Sequence, residues 1–164
     1  GLIQEPLSSE TLAKTCKEYF SFIWKLYYEM QIPMLLDFKK VYGDLESFHV
    51  SGICLSNHAL NSKRNDNTKM SKEFYLEKYF FSDQKDNLGI NAMSISDISG
   101  IPRATVIRKL NKLVKSKFLK IDNKKHYSST GVHAKLLLNV QKNTLNNLSK
   151  FAERIYNLNL IKND

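Results

Sequence analysis

The sequence predicts a mainly α fold that carries one small β-hairpin, and three observations predict it. Apolar residues recur at i, i+3, i+4 and i+7, the spacing of a helix face, over much of the 164-residue chain. Only six Gly and three Pro punctuate it, few for a chain built of short strands and tight turns. Two short runs, 118–122 and 126–129, flank the polar Asn123, Lys124 and Lys125 in the manner of a hairpin.

Composition bounds the class. Hydrophobic residues make up 42% and charged residues 25%, ordinary globular usage that excludes disorder and collagen-like repetition. The length suits one domain with an added arm. The longest apolar stretch, Phe20 to Met30, is broken by Lys25 and Glu29, so a membrane span is excluded. Gly1 to Glu10 lacks the basic start and apolar stretch of a signal peptide. The two cysteines, Cys16 and Cys54, have no short spacing, which points to a reducing, cytoplasmic setting. Gly1 in place of an initiator Met points to processing or to native residues upstream.

Taken in order, Ser8 or Ser9 can cap a helix running from Thr11 to about Gln31, with Phe20, Ile23, Trp24 and Tyr27 on one face. Tyr19, Phe22, Leu26 and Tyr28 make its other side apolar as well, so it should be buried on several sides, as core or as a subunit interface. Pro33 can open a short helix, Met34 to Tyr42, which Gly43 ends. Asp44 caps the next helix, with Leu45, Phe48, Leu55 and Ala59 on one stripe and Ile53 beside it. Asn61 to Lys69 has loop composition, Met70 to Phe81 resumes helical spacing, and Ser82 to Leu88 is polar again. From Thr130 as a cap to about Leu160, a long helix carries a coiled-coil-like seam of Leu138, Leu145, Leu148, Ala152 and Ile155. It would extend roughly 40 Å, longer than so small a domain covers, so part of it should pack on a partner.

The most informative text lies between these ends. Ser94 can cap a short helix with Ile95 and Ile98; Gly100 supplies a turn, and Pro102 starts a second helix. That helix is expected to bury Val106, Ile107, Leu110, Leu113 and Val114 and to expose Arg103, Arg108, Lys109, Lys112 and Lys115. Charge concentrates in the same place. Residues 1–94 hold 11 basic and 12 acidic groups, residues 95–126 hold nine and two, and residues 127–164 hold five and two. Most of the +9 excess therefore sits on the turn-linked helices and the hairpin, the electrostatic footprint of a protein that neutralises DNA phosphates.

Gly100, Ile101, Pro102, Thr105-Val106 and Arg108, followed by Leu113, Phe118 and Leu119 and by Thr130 opening a long helix, resemble the winged helix-turn-helix of bacterial transcription regulators. Ser99 to Leu110 is similar to the recognition segment of IclR-type and MarR-type proteins. The resemblance implies a recognition helix over about 102–115 in the major groove of double-stranded DNA. Arg103, Ala104, Ile107 and Arg108 would then face bases, Arg103 toward guanine and Ala104 toward a thymine methyl. Thr105, Lys109, Lys112, Lys124 and Lys125 would contact phosphates.

Other patterns carry less. Glu46-x-x-His49 and Cys54-x-x-x-His58 have ligand spacings but no second half, so no metal is expected. His126 and His133 flank the hairpin and could meet phosphate. No phosphate-cradling glycine loop, nucleophile elbow or Cys-x-x-Cys occurs, so neither an enzyme nor a cofactor is expected. The reading is therefore a cytoplasmic homodimeric regulator: helices for dimerisation or sensing over 1–88, the winged helix-turn-helix over 89–129, and a dimerisation helix over 130–164. Regulators of this resemblance often sense a small-molecule effector, for which the aromatic cluster around Trp24 and Tyr28 is the candidate lining. The rival is a winged-helix module that binds a protein and no specific DNA.

Overall fold

A computed structural model describes residues 8–65 and 89–162. The expected helix over Met70 to Phe81, the polar stretch Ser82 to Leu88, the end of the Asn61 to Lys69 segment, and the side chains of His58 and Ala59 lie outside the described residues. The described chain is mainly helical with a small antiparallel sheet. Its elements are α1 (Ser9–Glu18), α2 (Phe20–Tyr42), α3 (Leu45–Asn65), β1 (Ile90–Asn91), α4 (Ala92–Ser99), α5 (Arg103–Lys115), β2 (Leu119–Ile121), β3 (His126–Ser129) and α6 (Ala134–Lys162). They form two compact units, one of residues 1–36 with 140–164 and one of residues 37–139. No helix among the described residues is long and apolar enough to cross a membrane.

In the first unit, Ser8 caps α1 by accepting from the Thr11 N–H at 3.1 Å. The expected single helix over Thr11 to Gln31 is corrected to two helices, the second of which continues past Gln31. It breaks at Tyr19, whose φ −101 and ψ 33 leave the helical range, and α2 then runs on through Pro33. Pro33 does not open a new helix. It is exposed, so its ring meets no packed neighbour on that side, which lowers the penalty of an internal proline. Leu26 is buried, Tyr27 meets Phe151 of α6 edge to face at 6.4 Å, and Arg154 pairs with Glu29 at 3.1 Å. One polar contact lies inside this packing: Thr15 donates to Asn159 Oδ1 at 2.6 Å, and both residues are buried. The expected seam faces this packing only in part: Leu145, Leu148 and Ala152 are exposed and Leu138 and Ile155 half-buried, while Val140 and Asn159 are buried.

The second unit is built around Val50, Cys54, Ile95, Val106, Leu110, Leu113, Leu119, Tyr127 and Leu137. Gly43 ends α2 at φ +85, and Asp44 caps α3 by accepting from the Ser47 N–H at 2.7 Å. The buried stripe of α3 is Ser47, Val50, Ser51 and Cys54, and Leu45 is exposed. The expected stripe through Leu45, Phe48 and Leu55 is thus rotated, because small side chains let α3 lie close to α4, α5 and β3. Phe48 flanks the core and stacks on Phe38 at 4.1 Å.

The α4 cap is Asn91, which accepts from the Ser94 N–H at 3.0 Å, so the helix begins before Ser94. Ile95 enters the core, whereas Ile98 points to solvent. Gly100 takes φ +69 to close the turn, and the Ser96 hydroxyl donates to the Ile101 carbonyl at 2.7 Å across it. The sheet order is β1-β3-β2, with Leu119 opposite Ser129, Ile121 opposite Tyr127, and Ile90 also opposite Tyr127 on the other edge. The hairpin is therefore present, with an extra edge strand that the sequence reading did not include. Thr130 does not cap α6. Its N–H donates to the Phe118 carbonyl at 3.0 Å and its hydroxyl reaches the Lys117 carbonyl, so it fastens the base of the hairpin.

Candidate functional site

The candidate site is the solvent side of the second unit, made by α5 and the hairpin tip. Because the core line Val106, Leu110 and Leu113 fixes the rotation of α5, the opposite line of Ala104, Arg108, Asn111 and Lys115 faces water. Arg103 is exposed at the first turn, and Thr105 is half-buried. Neither Arg103 nor Arg108 has an ion-pair partner among the described residues. Ile107 is 38% exposed, so it leaves the core set to which its spacing assigns it and joins the outward side.

Lys109 is the main correction. Expected on the exposed face, it retains 7% of its surface and its ammonium sits between two carboxylates, 2.7 Å from Asp44 Oδ1 and 2.9 Å from Glu46 Oε2. Lys112 is half-exposed, and its Nζ donates to Asp44 Oδ2 at 2.9 Å and to the Tyr42 carbonyl at 3.1 Å. It thereby satisfies a carbonyl at the end of α2. The hydrogen bond to Asp44 raises the Lys109 pKa, outweighing the opposing effect of burial, and Glu46 adds to the rise. Desolvation pushes Asp44 upward, but bonds from Lys109, Lys112 and Ser47 outweigh it and hold the carboxyl far below the usual range. Sequence reasoning saw Asp44 as a cap and Glu46 as a half-ligand; the signal it missed is two carboxylates two residues apart facing a lysine pair three apart.

At the tip, Asp122 Oδ1 accepts from the Lys124 N–H at 2.9 Å and the His126 N–H at 2.8 Å. These bonds hold the Asp122 carboxyl below its ordinary pKa, that from His126 contributing most. The exposed Lys124 and Lys125 are thus presented on a braced turn, Lys125 at φ +60. The carboxylate of Asp122 also lies 3.5 Å from His126 Nδ1. His133 is structural: its ring stacks on Phe118 at 4.1 Å and Nε2 lies 2.8 Å from the Ser116 carbonyl.

Of the candidate ligand pairs, Glu46 is taken by Lys109, and burial pushes the Cys54 thiol up to about 12. Among the described residues no group of three His, Cys, Asp or Glu side chains comes together. In the first unit, Trp24 lines a cleft of about 330 Å³ with Cys16, Phe20, Ile23, Tyr27 and Phe151. Tyr28 stacks on Trp24 at 5.5 Å but is not part of the lining, whereas Tyr27 and Phe151 are. Comparison of the chain with protein-family models, with curated proteins and with solved structures gave no match.

Proposed function

We propose that the chain is a sequence-specific, DNA-binding transcription regulator of the winged helix-turn-helix type, acting in the cytoplasm as a homodimer. The observation that carries this reading is the pairing of geometry with charge. A turn-linked helix pair and a hairpin present Arg103, Arg108, Lys124 and Lys125 to solvent, in the stretch that holds nine basic and two acidic groups. A helix with an exposed cationic face fits the major groove, and a short cationic hairpin fits the neighbouring backbone. Arg103 and Arg108 would read guanine edges, and Ala104 and Ile107 would meet thymine methyl groups. Thr105, Lys124 and Lys125 would contact phosphate. The role is binding rather than catalysis, and the aromatic cleft beside Trp24 is the place for an apolar effector.

A test is fluorescence anisotropy with random-sequence duplex DNA at about 50 and about 200 mM salt. Binding that weakens steeply with salt, and that collapses in the Arg103→Ala/Arg108→Ala variant, is the expected result. Mutation-indifferent or absent binding would favour the second reading, a module that docks a protein. The observation favouring that alternative is the apolar exposure of α4, where Met93 and Ile98 both face solvent.

A further inference from the structure

We infer that Asp44 and Glu46 are positioning residues that withhold Lys109 and Lys112 from DNA phosphates, so that the reading helix gains specificity at the expense of indiscriminate affinity. The inference rests on the DNA-binding reading above and changes how its cations are divided. Helix α5 carries five of them, Arg103, Arg108, Lys109, Lys112 and Lys115. Two are neutralised at close range by the junction between α2 and α3. Asp44 is itself held by four donors: Lys109, Lys112, and the N–H and hydroxyl of Ser47 at 2.7 and 3.0 Å. Its carboxylate therefore cannot swing away to release a lysine without losing the cap of α3.

The backbone is shaped for the same contact. A Cβ at position 43 would lie 2.9 Å from Lys112 Nζ, and Gly43 also takes φ +85, so glycine is suited to the place where the ammonium reaches the end of α2. The rotation of α5 that the core line Val106, Leu110 and Leu113 sets brings Lys109 and Lys112 against Asp44 and turns Ala104, Arg108 and Asn111 outward. A phosphate contact by Lys109 would require it to leave two carboxylates at 2.7 and 2.9 Å, exchanging two close ion pairs for one.

Salt dependence separates this arrangement from direct phosphate contact, because each neutralised phosphate contributes about 0.9 to the slope of log affinity against log salt. The proteins to compare are the parent, Lys109→Met, and Asp44→Ser/Glu46→Gln, in which serine can still cap α3. The probes are random duplex DNA and a site selected from a random library with the parent. Lys109→Met should keep the parent's slope. Asp44→Ser/Glu46→Gln should bind random duplex more tightly at low salt, with a slope steeper by about 0.9 per released lysine, and lose discrimination between the selected site and random DNA. Between about 50 and 200 mM salt, that slope corresponds to about 3.5-fold more weakening per lysine. Adding Lys109→Met and Lys112→Met to Asp44→Ser/Glu46→Gln should return the slope to the parent's, which separates released lysines from the mere loss of two negative charges or from a loosened fold. A slope lower by about 0.9 in Lys109→Met overturns the inference, as does weaker random-duplex binding by the folded Asp44→Ser/Glu46→Gln protein. If the latter does not fold, the slope of Lys109→Met decides alone. A parent with no salt-dependent DNA binding would instead overturn the functional reading beneath it, and the inference with it.

Discussion

Ile107 and Lys109 stand on either side of the apolar stripe of α5, and their fates differ because of what faces them. Spacing alone places Ile107 inside and Lys109 outside, yet Asp44 and Glu46 supply a charged recess for the lysine, and a charge buried with its counter-ions replaces a branched apolar side chain there. Two other lysines are set by backbone rather than by partner. Lys117 and Lys125 adopt φ +61 and +60, a conformation that costs a residue with a Cβ about 1 kcal/mol or more and glycine little. Lys117→Gly should therefore raise the unfolding free energy by about 1 kcal/mol in urea titration, less the greater entropy of glycine in the unfolded chain. A lower midpoint would show that the Lys117 side chain stabilises the turn by more than its backbone costs. Acid should act through Asp44. An unfolded aspartate titrates near about 3.9, and the folded one stays ionised well below that. Its contribution is complete above roughly pH 5 and is lost as the pH falls toward its folded value. The parent should thus lose melting temperature more steeply between about pH 5 and 3 than Asp44→Asn does; equal slopes would show that the Asp44 pairing adds no stability.

At the scale of elements, the periodic and punctuated parts of the chain were legible, and the parts decided by tertiary partners were not. Ser8, Gly43, Asp44 and Gly100 act locally through a cap bond or a positive φ, so the residue type alone announces them. The hairpin over residues 119–129 and the helix Arg103–Lys115 follow the same logic. The two-residue strand β1 was not legible, since so short a strand exists only because β3 offers an edge. Nor was the α3 stripe, because Ser47 and Ser51 gain burial from close approach rather than from hydrophobicity. Pro33 misled for a related reason: proline ends a helix only when the lost hydrogen bond is not outweighed by packing along the rest. Replacing it by alanine restores a donor toward Glu29 and should stabilise α2 by up to about 3 kcal/mol. An unchanged melting temperature in Pro33→Ala would mean that the helix already accommodates the ring without cost. The Thr15–Asn159 contact is the polar counterpart. Thr15→Val leaves the buried Asn159 Oδ1 without its donor and should cost about 1 to 3 kcal/mol, while Thr15→Val with Asn159→Leu should recover much of it.

For the molecule as a whole, the apolar residues left in water are the strongest argument for a second copy. Phe20 is 59% exposed, and Trp24, Tyr28, Ile32, Leu145 and Leu148 each keep two fifths or more of their surface. These six belong to the unit formed by residues 1–36 and 140–164, and they include large aromatic side chains, whereas the large apolar side chains exposed on the cationic unit, such as Met93, Ile98 and Val132, are aliphatic. Monomeric proteins rarely leave so many large apolar side chains uncovered on one small unit. A two-fold partner would cover its own equivalent surface, and for a DNA-binding protein the same symmetry would supply two reading helices about 34 Å apart. The expected mass by light scattering at micromolar concentration is therefore that of a dimer. Tyr28→Asp with Ile32→Lys, two changes at exposed positions, should yield a folded monomer whose affinity for a two-half-site DNA falls by 100-fold or more at about 0.1 M salt, because the second half-site no longer binds at high effective concentration. Its affinity for a single half-site should stay close to the parent's. A parent that is strictly monomeric, or a monomeric variant that binds the two-half-site DNA as tightly as the parent, would remove the dimer from the functional reading and leave the cationic unit to act alone.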